Sequence, residues 1–110
     1  MIDSIKNPST EEYEIKILAP ELTFLGVKHQ PDFAELEVTM IPSDTVVELK
    51  SFKHYLYEFR NKLTSYESLI NCIYNDLMEN FNPIKLVVIM KCRPRGGISS
   101  ILTINSEWRK

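Results

Sequence analysis

The hydrophobic pattern of this chain changes period twice, and that change limits the possible folds more than any other feature of the sequence. Tyr13, Ile15 and Ile17 alternate with Glu14 and Lys16, and Leu36, Val38 and Met40 alternate with Glu35, Glu37 and Thr39. A period of two is that of a half-buried strand, so the two segments form a hairpin candidate, the first expected to close at Pro20 and the second at Pro42. From Val47 the spacing lengthens to three or four: Leu49, Phe52, Leu56 and Phe59 make one stripe, with Glu48, Lys50, Lys53, His54 and Arg60 largely off it. Leu69, Ile70, Ile73, Leu77 and Phe81 make a second, ended by Asn82-Pro83. The period of two then returns. Ile84, Leu86, Val88, Met90 and Cys92 share one face of a strand, Gly96 and Gly97 can take the positive φ of a reversal, and Ile98 to Ser106 reads as the returning strand.

The order strand, strand, helix, helix, strand, strand predicts an α+β fold: a four-stranded antiparallel sheet with two amphipathic helices on one face. A chain of 110 residues buries about two thirds of its unfolded surface, enough for one core. Residues 12–110 are therefore expected as a single domain after a flexible polar lead, 1–11. The sheet has open edges and a second face of mixed polarity. Such edges are commonly paired with other subunits, so a homo-oligomeric ring is expected.

Charge and cysteine usage exclude several classes of function. Thirteen basic against fifteen acidic residues give a net charge of -2, too little field to recruit nucleic acid or an anionic membrane. No apolar run approaches the roughly 20 residues that span a bilayer, and the N-terminus lacks an apolar signal-peptide centre, so a cytoplasmic protein is expected. Cys72 and Cys92 have no chelating neighbour at metal-site spacing. Both are expected as free, packed thiols, with no metal.

Several polar residues have two readings. Glu67 follows Thr64 by three, the spacing of a capping box, yet a carboxylate there could also bind a ligand. Asp32 follows Pro31 at the mouth of a strand, where turn chemistry suffices to explain it and proton transfer is the alternative. Lys50, Lys53 and Arg60 lie on a face where charge is normally solvated, or could hold phosphates; Arg95 in the glycine turn could join them. His29 is either a solvated loop residue or a proton carrier near neutral pH.

Four segments together resemble one family: Gln30-Pro31-Asp32-Phe33-Ala34, the run Val47 to Asn61, the acidic start of the second helix at Glu67, and Pro94 to Ser99. The chain is similar to the 7-cyano-7-deazaguanine reductase (QueF) family from about Glu21 to Ser99, with motif spacing kept within a residue. The resemblance implies the tunnelling fold (T-fold), assembled into oligomeric barrels with pockets between subunits. It also implies binding of a 7-deazaguanine or related purine through Glu67, with Tyr66 beside it where the family has histidine. NADPH would be held by the Glu-x-Lys-x-x-Lys segment, here Glu48, Lys50, Ser51 and Lys53, with Arg60 and Arg95. The family's reaction reduces a nitrile to an aminomethyl group during synthesis of the tRNA base queuosine. In it a cysteine captures the nitrile carbon and an aspartate, here Asp32, manages protons. Gly26 stands where that cysteine is expected, in a loop one residue shorter, and glycine has no atom with which to attack. Two alternatives follow: an archaeal-type relative that forms an amidine on the nitrile base in tRNA, or a subunit that keeps the purine or pterin pocket without the chemistry.

Overall fold

The computed structural model describes residues 2–108. Its strands are β1 (Ser4–Lys6), β2 (Ile15–Leu25), β3 (Pro31–Ile41), β4 (Thr45–Val47), β5 (Lys85–Arg95) and β6 (Ile98–Asn105), and its helices are α1 (Leu49–Tyr57) and α2 (Tyr66–Phe81). Four strands form one antiparallel sheet in the order β2-β3-β5-β6, and β1 pairs separately with β4. The expected α+β order is therefore present, with a small second sheet added.

Register places the alternating residues as their periodicity requires. Leu36, Val38 and Met40 of β3 pair with Met90, Val88 and Leu86 of β5, so all six share the face turned to the helices. Phe52, Tyr55 and Leu56 of α1, and Leu69, Ile70, Ile73, Tyr74, Leu77 and Phe81 of α2, complete this core. Burying each such side chain contributes about 1.5–3 kcal/mol, so the sheet-to-helix layer dominates stability. The opposite face is mixed, with Leu18, Phe33 and Ile101 exposed and Lys16 paired with Glu37 at 3.7 Å.

Pro20 does not end the first strand. The register of β2 on β3 shifts between Ala19 and Leu22, giving β2 one extra residue there. Before the bulge Ile15, Ile17 and Ala19 face the core; after it Leu22 and Phe24 do, so the odd-even pattern is reversed and a single period is hidden. A proline is tolerated because β2 is an edge strand.

The lead also has structure. Ser4–Lys6 pairs with Thr45–Val47, Ile2 is buried, and Asn7 bonds Asp44 and Ser43 through backbone and side chain. Strands of three residues carry no readable period, which is why both were missed.

The start of α2 differs from the capping-box expectation. Ser65 is the N-cap, its Oγ accepting from the Ser68 N–H at 3.1 Å, while Thr64 Oγ1 donates to the Ser65 carbonyl. Thr64 is drawn off by its own N–H, which bonds the Leu25 carbonyl at 2.9 Å. Glu67 is thereby left exposed, its carboxylate outside the cap. At the other end Asn82 takes the left-handed conformation, φ 41°, ahead of Pro83.

Candidate functional site

The reversal between β2 and β3 brings distant residues together. Gly26 N–H bonds the Gln30 carbonyl at 2.8 Å and His29 N–H bonds the Gly26 carbonyl at 3.2 Å, with Lys28 and His29 both at φ 61°. The segment after α1 is tied alongside, since Leu25 N–H bonds the Lys62 carbonyl and Thr64 N–H bonds that of Leu25. These bonds set the first turn of α2 beside the start of β3.

Asp32, the first core-facing residue of β3, is the centre of the resulting cluster and is only 6% exposed. A buried carboxylate needs partners, and its Oδ1 has two. Tyr66 Oη donates to it at 3.2 Å, and Arg95 Nη1, from the end of β5, lies 3.5 Å away. Arg95 also bonds the Pro31 carbonyl at 3.3 Å and, through Nη2, Gln30 Oε1 at 2.8 Å. The Tyr66 ring stands edge-on to Phe24, centroids 5.7 Å apart, which fixes the phenol. Oδ2 points at Gly26: a Cβ built there would lie 2.5 Å from it. One carboxylate oxygen is thus clamped, and the other fills the space in which a side chain at position 26 would begin.

Ionisation follows the same arrangement. Burial, then the Asp32 charge and hydrogen bond, pushes the Tyr66 phenol up, so it stays protonated and acts as a donor at neutral pH. Cys92 pairs with Ala34 and Ser100 across the sheet, on the core face. Burial first, then the Asp32 and Glu67 carboxylates, pushes its thiol up, with Ser100 opposing. Both thiols are free, and Cys72 is also pushed up by burial and by Asp76. Neither is an activated nucleophile.

The remaining predicted residues lie elsewhere. Glu48 is the N-cap of α1, its carboxylate accepting from Ser51 N–H at 2.9 Å and Lys50 N–H at 3.0 Å, which holds its carboxyl below the usual range. Ser51 Oγ donates to the Glu48 carbonyl and accepts the Asp3 N–H, both at 2.8 Å. Lys50 is exposed next to them. Lys53 and Arg60 instead line a 460 Å³ groove between the β2 edge and α1, where the Arg60 guanidinium lies 4.3 Å from the Tyr57 ring centre. His29 is exposed at the tip of the reversal. The predicted residues therefore form three groups: Gly26, Asp32, Tyr66 and Glu67 with Arg95; Glu48, Lys50 and Ser51; and Lys53 with Arg60. Sequence reading did not single out Gln30 and grouped Arg95 with the lysines, whereas its guanidinium lies at Asp32 and Gln30. A contact spanning 63 residues leaves no local signal.

Asp32, Tyr66 and Glu67 line none of four surface depressions of 300 to 570 Å³. Among the described residues no helix is long and apolar enough to cross a membrane, and no group of three or more His, Cys, Asp or Glu is placed to hold a metal ion.

Comparison with known proteins gives the family and the fold. A family profile described as QueF-like protein matches residues 31–110. A protein of Thermomicrobium roseum named NADPH-dependent 7-cyano-7-deazaguanine reductase is 36% identical over 108 residues, covering 96% of this chain and 84% of that one. A Bacillus subtilis protein of the same name is 45% identical over 89 residues, covering 80% of this chain but 54% of its own length. The chain thus spans most of one relative and little more than half of the other. The crystal structure of an archaeosine synthase described as QueF-Like, in the apo form, superimposes with a TM-score of 0.75 at 19% identity, covering 89% of this chain and 95% of that one. That likeness shows the fold, which is the subunit of the tunnelling fold. The family match and the Thermomicrobium relative together establish that the chain belongs to the QueF-like protein family.

Proposed function

We propose that this chain binds a 7-deazaguanine-type base beside Asp32, Tyr66 and Glu67, and reduces its nitrile with NADPH without covalent capture of the substrate. The observation that carries the reading is the Asp32 carboxylate, clamped by Tyr66 and Arg95 with its second oxygen over Gly26. Glu67, exposed and free of the helix cap, supplies an acceptor for the N–H edge of the base. Tyr66 adjoins Glu67 in the first turn of α2 and bonds Asp32 on β3, so that both can face the substituent at the 7-position.

Reduction of a nitrile to an aminomethyl group consumes two hydrides and two protons. NADPH supplies the hydrides when bound. The two protons come from solvent through the Tyr66 and Asp32 pair: the Tyr66 hydroxyl, whose hydrogen rests on Asp32, turns it to the nitrogen as negative charge develops there and is reprotonated from solvent before the second hydride. Cationic and apolar side chains suited to a dinucleotide are present in the groove lined by Lys53 and Arg60. Glu48 and Ser51, by contrast, are engaged in capping α1. The open edges β2 and β6 fit a homo-oligomer in which a neighbouring subunit walls the base site. The tRNA-level reading gains a shared fold from the archaeosine synthase and nothing finer.

The test is to mix protein, 7-cyano-7-deazaguanine and NADPH and follow binding heat, loss of the reduced nicotinamide absorbance, and intact protein mass. The expected result is saturable binding with two NADPH consumed per base, no mass adduct, and a loss of about 10²-fold or more in rate for Asp32→Asn. Binding without turnover would favour a base-binding subunit that lacks the chemistry. An adduct on Cys72 or Cys92 would overturn the noncovalent route, and no binding would remove the base assignment.

A further inference from the structure

Two reversals meet at one end of the four-stranded sheet. One is the turn from Gly26 to Gln30 between β2 and β3; the other joins β5 to β6 through Gly96 and Gly97, at φ 60° and 81°. The first of them is strained. Lys28 and His29 stand in succession at φ 61°, in the left-handed region where a Cβ crowds the backbone and which glycine, asparagine and histidine enter more readily than lysine. Both side chains are exposed, so packing does not hold them there. The turn is fixed at its start by the bonds of Leu25 to Lys62 and Thr64, and closed on itself by Gly26 N–H to the Gln30 carbonyl and His29 N–H to that of Gly26. At its far end the hold is Arg95. The register of β6 on β5 shifts between Cys92 and Arg95, and the arginine crosses to β3. Its Nη2 donates to Gln30 Oε1 at 2.8 Å, and its Nη1 lies 3.3 Å from the Pro31 carbonyl oxygen and 3.5 Å from Asp32 Oδ1. One guanidinium therefore grips three successive residues, the last of the turn and the first two of β3.

We propose that the turn from Gly26 to Gln30 is a lid over Asp32, hinged at Leu25 and latched by Arg95. With the latch made, Asp32 Oδ2 fills the space beside Gly26. With the guanidinium withdrawn, the strained backbone relaxes, the turn lifts, and the carboxylate is free to rotate out of that space. The planar fork of arginine suits the task, because it holds a side-chain amide oxygen, a backbone carbonyl and a carboxylate at once, which a lysine ammonium on its flexible stem does less well. The two left-handed residues supply the opposing force, so the lid is poised between states and is not a rigid corner. Opening clears room of side-chain size beside Asp32 and the Tyr66 hydroxyl. The latch does not depend on which molecule enters there, and it stands or falls apart from the choice of base or cofactor.

Amide hydrogen exchange of the full chain reads the lid directly, because the Gly26 and His29 N–H groups are bonded inside the turn, while the β3–β5 ladder reports global unfolding. Arg95→Ala should speed exchange at Gly26 and His29 about ten-fold or more and leave the ladder unchanged. Arg95→Lys, which keeps the charge and loses the fork, should open the lid nearly as far. Lys28→Gly should slow exchange in the turn about three-fold by relieving the backbone, and the double variant should fall between the two single ones. Trypsin cleavage after the exposed Lys28 should quicken in Arg95→Ala in step with exchange. Unchanged protection in Arg95→Ala would overturn the latch, and full protection in Arg95→Lys would assign the hold to charge alone and overturn it equally. Faster exchange in Lys28→Gly would refute the strain that lifts the lid. Equal loss of protection in the turn and the ladder would show general destabilisation in place of a lid and refute the inference.

Discussion

Replacing Gly26 by alanine makes two groups compete for one space. The new Cβ would lie 2.5 Å from Asp32 Oδ2, 3.4 Å from its Cγ and 3.6 Å from the Gln30 carbonyl oxygen. Carbon and oxygen in contact need more than 3 Å, so the carboxylate has to rotate. It cannot do so freely, because Oδ1 holds the Tyr66 hydroxyl at 3.2 Å and the Arg95 guanidinium at 3.5 Å in a buried position. Overpacking at such a site costs about 1–3 kcal/mol, and a weakened buried hydrogen bond alone lies in that range. The opposing term is small: alanine restricts the unfolded chain and stabilises by about 0.4–1 kcal/mol where φ allows it, as here. The net expectation is a loss of about 1–2 kcal/mol, a fall in the urea midpoint of about 0.5–1 M for a chain of this size. The same substitution in an Asp32→Ala background meets no carboxylate and should be neutral or slightly stabilising. A double-mutant cycle by urea unfolding measures the difference. Equal effects of Gly26→Ala in both backgrounds, or no effect in the wild type, would refute the account of Asp32 as the group filling the place of a missing side chain.

Three further outcomes are expected. Ser65→Ala should cost about 1 kcal/mol in urea unfolding and Thr64→Ala less than half of that, because Ser65 and not Thr64 caps α2; the reverse order would restore the capping box. Burial first, then its bond to Asp76 at 2.5 Å, pushes Tyr55 far above its ordinary range, so the folded state keeps a proton that the unfolded chain loses near pH 10. Stability contributed this way is complete below that pH and falls as pH rises above it, by at most about 1.4 kcal/mol per unit. Tyr55→Phe should flatten the decline between pH 10 and 11, and an unchanged slope would refute the assignment. Maleimide labelling followed by mass spectrometry should modify Cys92 and Cys72 at least ten-fold more slowly in the native chain than in urea, since burial both hides and protonates them. Rapid native labelling of Cys92 would reveal a competent nucleophile beside Asp32.

The readable part of this sequence is the part where one period persists over a whole element. β3, β5, α1 and α2 announce themselves because each turns a single face to one layer. β2 does not, because the extra residue at Pro20 and Glu21 swaps the faces halfway, leaving Leu22 and Phe24 out of step with Ile15 and Ile17. The site divides in the same manner. Asp32 and Glu67 are visible by their place in short motifs, whereas the Arg95 clamp depends on the antiparallel pairing that lays the end of β5 beside the start of β3. The Glu48 to Lys53 segment is divided by the helix. Its spacing reads as a single binding motif, yet Glu48 and Ser51 bond the helix and the N-terminal strand, while Lys53, a further half turn on, opens on another surface.

Gly26 leaves no hole in this chain, and that bears on the chemistry proposed for it. The carboxylate of Asp32 takes up the space at Gly26, so in the proposed reading the proton-handling group and the position expected for a nucleophile are one place. A carboxylate balanced by an arginine is a weak nucleophile toward a nitrile carbon, and its product with one would be short-lived. Its value lies in charge and position. It holds the Tyr66 phenol, which remains protonated across the neutral range, at the first turn of α2 next to Glu67. Catalysis at such a site would draw on proton donation and placement of substrate against hydride, both effects that a single buried ion pair can organise without forming a bond to the base. A cysteine introduced at position 26 would have its Cβ 2.5 Å from the present position of the Asp32 carboxylate, which would have to turn and whose charge nearby disfavours a thiolate.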